Sequence, residues 1–172
     1  YAADDAVEQG DRLATAANTL MPVQYAAQLD LALYWSARED VEQAVQHLAI
    51  ALVGGRGRLR EAYFPQLLAV AAQEQSRGAL LPITENPTLY PWWEAFFRYA
   101  ARDAQDVATV TALVDMREAS AQVPLSARER DLYIGRLRKD DLIAEAYLYW
   151  VNGLAKEDLQ YLGYLFDGGF ER

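Results

Sequence analysis

A short charged turn recurs along this chain between stretches that carry the hydrophobic period of an α-helix. Arg38-Glu39-Asp40-Val41 is followed by Arg102-Asp103 with Asp106-Val107, and then by Arg138-Lys139-Asp140-Asp141-Leu142. The separations are near one or two units of roughly 34 residues, the length of a helical-hairpin repeat. A single hairpin cannot bury its own apolar faces, whereas stacked hairpins can, so the spacing predicts an all-α chain of antiparallel hairpins sharing a continuous core. No alternating five-residue run competes, and strands are not expected before the extreme C-terminus.

With 172 residues the chain suits one domain or a compact array of hairpins. Helical spacing predicts a first helix from Asp4 to Asn18, with Gly10 as its weak point. Pro22 fits the first turn of a helix reaching Ala37, where its missing N–H costs nothing. Arg38 suits the negative end of that helix, and Asp40 with Gln43 resembles a capping box opening the next, which runs to about Val53 before Gly54-Gly55. Leu59 to Ser76 reads as another helix, kinked at Pro65 or starting there. The run Leu81-Pro82-Ile83-Thr84-Glu85-Asn86-Pro87 reads as a loop, dividing a helical region 1–165 into halves 1–80 and 88–165 joined across 81–87, with 166–172 as a tail. In the back half, Thr88 or Tyr90 caps a helix with Pro91 in its first turn and Trp92 to Ala101 beyond it, and another spans Asp106 to Ala119. Ser126 with Glu129 forms a capping box for a helix through Leu137, Asp141 opens the helix 142–154, and Asp158 opens a short last one.

The first hairpin is the most specific. Leu31, Ala32 and Trp35 on its first helix and Ala44, Leu48 and Ala51 on its second fall at the spacing of a tetratricopeptide unit, which this segment resembles. Small residues at Ala32 and Ala44 would let the helices approach while Leu48 and Trp35 fill the gap. The unit's usual terminal proline is missing, with Arg56 near its place, and later hairpins depart further: Gly135 stands where a large aromatic belongs and Val110 where a small residue does. The resemblance implies hairpins stacked as a tetratricopeptide-like right-handed superhelix. At the other end, Phe166-Asp167-Gly168-Gly169-Phe170-Glu171 is similar to the opening strand of some carbohydrate-binding β-sandwich modules, with Asp167 where Asn is usual. That second resemblance implies the N-terminal helical region of a longer protein, as in secreted bacterial repeat proteins associated with exopolysaccharide production. Gly168-Gly169 equally suits the close of a last helix.

A formal charge of -9 disfavours nucleic acid and anionic lipid as partners, since both carry the same sign. The short Arg-rich stretches Arg56-Gly57-Arg58-Leu59-Arg60 and Arg128-Glu129-Arg130 read as solvated faces. Without cysteine there is no thiolate metal site, disulfide or thiol chemistry, a composition that fits cytoplasm and periplasm alike. The longest apolar run, Leu48 to Val53, is far short of the ~20 residues of a membrane span. The start at Tyr1 rather than Met is that of a processed or excised chain, and it leaves room for a removed targeting segment, so a periplasmic or secreted setting is the expectation.

Catalytic readings find little to build on. His47, the single histidine, lacks the partners of a metal site or a serine triad and reads as a packing or helix-surface residue. The pairs Glu39-Asp40, Asp140-Asp141 and Glu157-Asp158 each sit at an expected helix start, where the helix dipole explains them without acid–base chemistry. Gly54-Gly55-Arg56-Gly57-Arg58 lacks the Gly-Lys-Ser/Thr ending of a phosphate loop. No catalytic residue, metal or cofactor is expected.

The aromatics are the informative feature. Tyr90-Pro91-Trp92-Trp93-Glu94-Ala95-Phe96-Phe97-Arg98-Tyr99 makes an apolar arc wider than one neighbour would cover, which predicts either a helix buried between two others or an aromatic platform that grips a peptide or stacks on a sugar. In the second cluster, Tyr147, Tyr149 and Trp150 with Tyr161 and Tyr164, successive positions cannot all face inward, so Tyr149 is expected to be reachable. The candidate ligand-binding residues are therefore Tyr90, Trp92, Trp93, Tyr149 and Trp150. The expected function is a non-catalytic protein-interaction or scaffolding module of a bacterial envelope or exopolysaccharide assembly, its partner a protein or peptide. The alternatives are the helical arm of a cell-wall lytic transglycosylase and direct binding of a polysaccharide.

Overall fold

A computed structural model of the chain describes residues 2–22, 24–55, 57–119, 123–155 and 159. Among these the fold is all-α, without a strand. The helices are α1 (Ala2–Leu20), α2 (Tyr25–Ala37), α3 (Val41–Gly54), α4 (Arg58–Glu61), α5 (Phe64–Ala72), α6 (Glu74–Arg77), α7 (Leu81–Glu85), α8 (Trp93–Asp103), α9 (Val107–Ala119), α10 (Ala127–Lys139) and α11 (Ile143–Asn152). Single 3₁₀ turns occupy Gly78–Leu80 and Pro87–Leu89. No helix is long and apolar enough to cross a membrane. The chain forms two compact units, Tyr1–Leu125 and Ser126–Arg172.

The recurring turn has a physical basis. After α2, the Trp35 carbonyl accepts from the amides of Arg38 and Asp40, both at 3.1 Å, while Glu39 swings to a left-handed φ of 60°. After α10, the Leu137 carbonyl accepts from the Leu142 amide at 2.9 Å, and Asp141 takes a φ of 62°. Both are Schellman-type closures, with the left-handed residue at the first position past the helix. The turn after α8 does not share this closure, since its C-cap Ala104 is extended, at φ -56° and ψ 136°. The bond from Leu142 corrects the expected role of Asp141: it closes α10 rather than capping α11, whose N-cap is Leu142 without a side-chain bond. Asp40 does cap α3, accepting from the Gln43 amide at 3.0 Å. Between the two closures, Asp106 caps α9 by accepting from the amide and hydroxyl of Thr109 at 2.9 and 3.0 Å.

A left-handed conformation burdens a residue bearing a Cβ by about 1–2 kcal/mol, a cost glycine avoids. Glu39→Gly is therefore expected to raise stability by about 0.5–1 kcal/mol, after allowing for glycine's greater freedom in the unfolded chain. Urea unfolding checks this; an unchanged or lower midpoint would refute it.

In the first unit, α2 and α3 form the most closely packed hairpin, with Leu31, Ala32, Leu48 and Ala51 buried as their spacing predicted. Gly10, the weak point of α1, has a packing purpose: a Cβ there would lie 2.5 Å from the Tyr34 hydroxyl. That hydroxyl donates to Asp11 at 2.9 Å, and Arg38 reaches the same carboxylate at 3.2 Å, so Arg38 ties α2 to α1 rather than simply facing its own helix end. The stretch expected as one helix is broken into α4, α5 and α6: Pro65 sits in the first turn of α5, and an extended Gln73 separates α5 from α6. The expected loop 81–87 is instead largely helical and lies inside the first unit. Pro82 stands in the first turn of α7, where proline is tolerated, and Ile83 and Thr84 are buried. The compact units divide at 125/126, not across 81–87.

The core of this unit lies where α5 meets α8 and α9 and where α7 meets α9, filled by Phe64, Leu67, Phe96, Phe97, Val110 and Leu113. Arg117 of α9 is buried within it. Its guanidinium donates to the carbonyls of Thr84 at 2.9 Å, Val123 at 3.0 Å and Pro124 at 3.3 Å.

The second unit is the hairpin α10–α11. Its capping box forms as predicted: Ser126 Oγ accepts from the Glu129 amide at 3.1 Å and Glu129 Oε2 from the Ser126 amide at 2.8 Å. Tyr133 and Tyr149 join the two helices edge to face, ring centres 4.8 Å apart. The helix start expected at Asp158 and the tail 166–172 lie outside the described residues.

Candidate functional site

The aromatic segment resolves in favour of the core. Trp92, the residue preceding α8, is 0% exposed, and Trp93 is 4% exposed. The Trp92 indole N–H donates to the Ala49 carbonyl of α3 at 3.1 Å, and its ring meets Tyr90 and Phe96 at centroid distances of 5.7 and 6.2 Å. Trp93 packs on Phe96 and Phe97. Both tryptophans are thus corrected from candidate binding residues to core residues, because α8 lies between neighbours that cover both sides of its apolar arc. Tyr90 is half-buried, and burial raises its hydroxyl pKa above the ordinary value.

On α11 the reachable aromatics are Tyr147 and Trp150, 43% and 41% exposed, their rings 6.0 Å apart. Tyr149 is only half-buried, yet it is the member engaged with Tyr133. One face of α11 thus meets α10 while the next presents Tyr147 and Trp150.

A site that the sequence reading did not single out lies in the first unit, between α2, α3 and α5. It is a groove of about 310 Å³ framed by one stripe from each helix at i, i+3, i+4, i+7 spacing. On α2 these are Leu29, Ala32, Leu33 and Ser36, and on α3 Val41, Ala44, Val45 and Leu48. The third stripe begins at Tyr63 and continues along α5 through Gln66, Leu67 and Val70. The floor is made of small residues where Ala32 and Ala44 let the hairpin close up. The walls are apolar and open, with Leu33 63% exposed and Val41 at the rim. The signal was in the sequence: α2 is apolar nearly all round, more than one partner helix can cover. Spacing alone does not separate this stripe from ordinary hairpin packing, because a stripe does not announce whether its neighbour comes from its own chain.

At the Val41 end the groove opens onto a polar mouth lined by Arg38, Glu39, Asp40 and Glu42 with Gln73 and Gln75. Arg38 is engaged with Asp11 and lies over the Tyr34 ring at 5.5 Å, and Asp40 is held by its cap. Glu39 and Glu42 carry exposed carboxylates. The C-terminal ends of α2 and α5 lie beside this region and both are met by cations: Arg38 follows α2, and Arg77 Nε donates to the Ala71 carbonyl of α5 at 2.8 Å.

Behind the groove, His47 is buried on α3. Its Nδ1 lies 2.7 Å from Gln28 Oε1, and Gln28 Nε2 donates to Asn18 Oδ1 at 3.0 Å and to the Met21 carbonyl at 3.4 Å. Since a carbonyl oxygen only accepts, Nδ1 is the donor in this pair. Burial holds the imidazole pKa below its ordinary value of 6.5. The folded state then binds fewer protons than the unfolded one as the pH falls below 6.5, so this contribution to stability is full above that value and is lost as the pH drops through the folded pKa. His47→Gln is expected to lose less stability than the parent between about pH 7 and about pH 5. Equal losses in paired urea titrations would show that His47 does not set the acid slope.

Among the described residues no group of His, Asp and Glu is placed to hold a metal ion. Comparisons with protein-family models, with curated proteins and with solved structures find no match to this chain.

Proposed function

We propose that this chain is a non-catalytic protein-interaction module, a tetratricopeptide-like array of helical hairpins that receives a partner segment in the α2–α3–α5 groove. The observation that carries this reading is the groove itself, three helical stripes converging on open apolar walls with Leu33 largely exposed. Convergent apolar surface left in water is a common mark of a binding site, and a concave face between hairpins suits a peptide or helix. The setting to which the tetratricopeptide spacing and the segment 166–171 point is a bacterial envelope or exopolysaccharide assembly, with the chain in the periplasm or outside the cell.

A photo-crosslinking residue in place of Leu33, exposed to envelope extract, is expected to yield discrete protein adducts that the same residue in place of Leu89, also well exposed but away from the groove, does not. Adducts equal at the two positions, or none at Leu33, would overturn the reading.

A second reading rests on Tyr147 and Trp150, whose exposed neighbouring rings suit stacking on a sugar. It predicts that polysaccharide changes the tryptophan fluorescence of the protein and that Trp150→Ala abolishes the change. No change with the parent protein would remove this reading.

A further inference from the structure

Resting on the interaction reading, we infer that the occupant of the groove is a basic amphipathic helix. Its apolar stripe lies on Leu29, Leu33, Val41 and Val70, and a Lys or Arg at its end meets Glu39 and Glu42.

Two features of the groove specify this occupant. The first is shape. The walls are three helices, each presenting the same i, i+3, i+4, i+7 stripe, and the surface complementary to such walls is the stripe of a fourth helix. The second is charge, which is asymmetric along the groove. The body is mostly apolar, with Ser36, Gln66 and the Tyr63 hydroxyl its polar members, whereas the mouth at Val41 is lined by Glu39, Asp40 and Glu42 against Arg38, already committed to Asp11. An acidic helix would satisfy the body and be repelled at the mouth, and a neutral one would gain nothing there. A basic one satisfies both, and its register is set by where its cation falls.

The test uses the 172-residue chain and two fluorescein-labelled probes, an amphipathic leucine–lysine helix and its leucine–glutamate counterpart, read by fluorescence anisotropy. The leucine–lysine probe is expected to bind saturably and the leucine–glutamate probe at least about tenfold more weakly. Leu33→Glu, at a position exposed enough to tolerate it, should weaken the leucine–lysine probe about tenfold with the circular dichroism unchanged; Leu33→Ser serves if that variant unfolds. Glu39→Gln with Glu42→Gln should weaken it about fivefold and flatten its salt dependence. Asp131→Asn with Glu145→Gln, the same loss of charge on the second unit, should leave it unchanged.

Equal weakening by the two charge-neutralising pairs would mean diffuse attraction to an acidic protein and would overturn the inference. Binding of both probes with equal affinity, still abolished by Leu33→Glu, would overturn the basic occupant while leaving the interaction reading standing. Binding of either probe that Leu33→Glu leaves untouched would overturn the groove as the site, and with it both readings.

Discussion

Replacing Trp92 with alanine is expected to cost about 3–5 kcal/mol of stability, the range for removing a fully buried large aromatic side chain. The indole has no exposed surface, and its loss would open a cavity among Tyr90, Phe96 and Phe64 that rings fixed on α5 and α8 cannot collapse to fill. It would also remove the hydrogen bond to Ala49 that fastens the start of α8 to the middle of α3. Trp92→Phe keeps most of the ring contact but not that bond, and should cost about 1–2 kcal/mol. Urea unfolding followed by circular dichroism measures both. A Trp92→Ala variant within about 1 kcal/mol of the parent would show that the aromatic cluster is not the core of the first unit. The result also bears on function, because a variant of this kind that loses a partner has lost its fold as well, whereas Leu33 can be changed without opening the interior.

Replacing Arg117 with methionine is expected to cost about 3 kcal/mol. Methionine preserves much of the apolar stem, so the loss isolates the guanidinium. Without it, the Thr84 carbonyl at the end of α7 is left buried without its Arg117 bond, and the Val123 and Pro124 carbonyls lose their donor. Water can reach the latter two more readily than the first, which keeps the total below three full desolvation penalties. The same bonds fix the segment after α9 against α7, so hydrogen exchange in Leu81–Glu85 should accelerate in the variant. If Arg117→Met unfolds at the parent's urea midpoint, the clamp contributes no net stability.

What could be read in the sequence depended on how local its physics was. Helix starts marked by a side chain three residues from the amide it binds were legible at Asp40 and Ser126, because that geometry is closed within one turn. Asp141 misled for an instructive reason. An acidic residue beside a helix start is also one that can follow a helix end in a left-handed turn, and the choice is made by the 6→1 bond from Leu142 to Leu137. Likewise, the prolines and Asn of 81–87 favour a loop locally, but the burial of Ile83 and Thr84 holds a helical turn there. Of the candidate residues, Trp92 and Trp93 could not be assigned from spacing, since an apolar arc looks the same whether a neighbouring helix or a ligand covers it.

The sequence by itself determined an all-helical chain, the caps at Asp40 and Ser126, the identity of the aromatic arc and a net negative charge. Each follows from interactions between residues within a turn or two of one another, or from composition. Tertiary structure alone decided that Trp92 and Trp93 are interior, that Arg117 is a buried clamp, and that stripes on α2, α3 and α5 converge on an open groove with an acidic mouth. Those depend on which helices meet, and a helical stripe specifies that it must be covered without specifying by what.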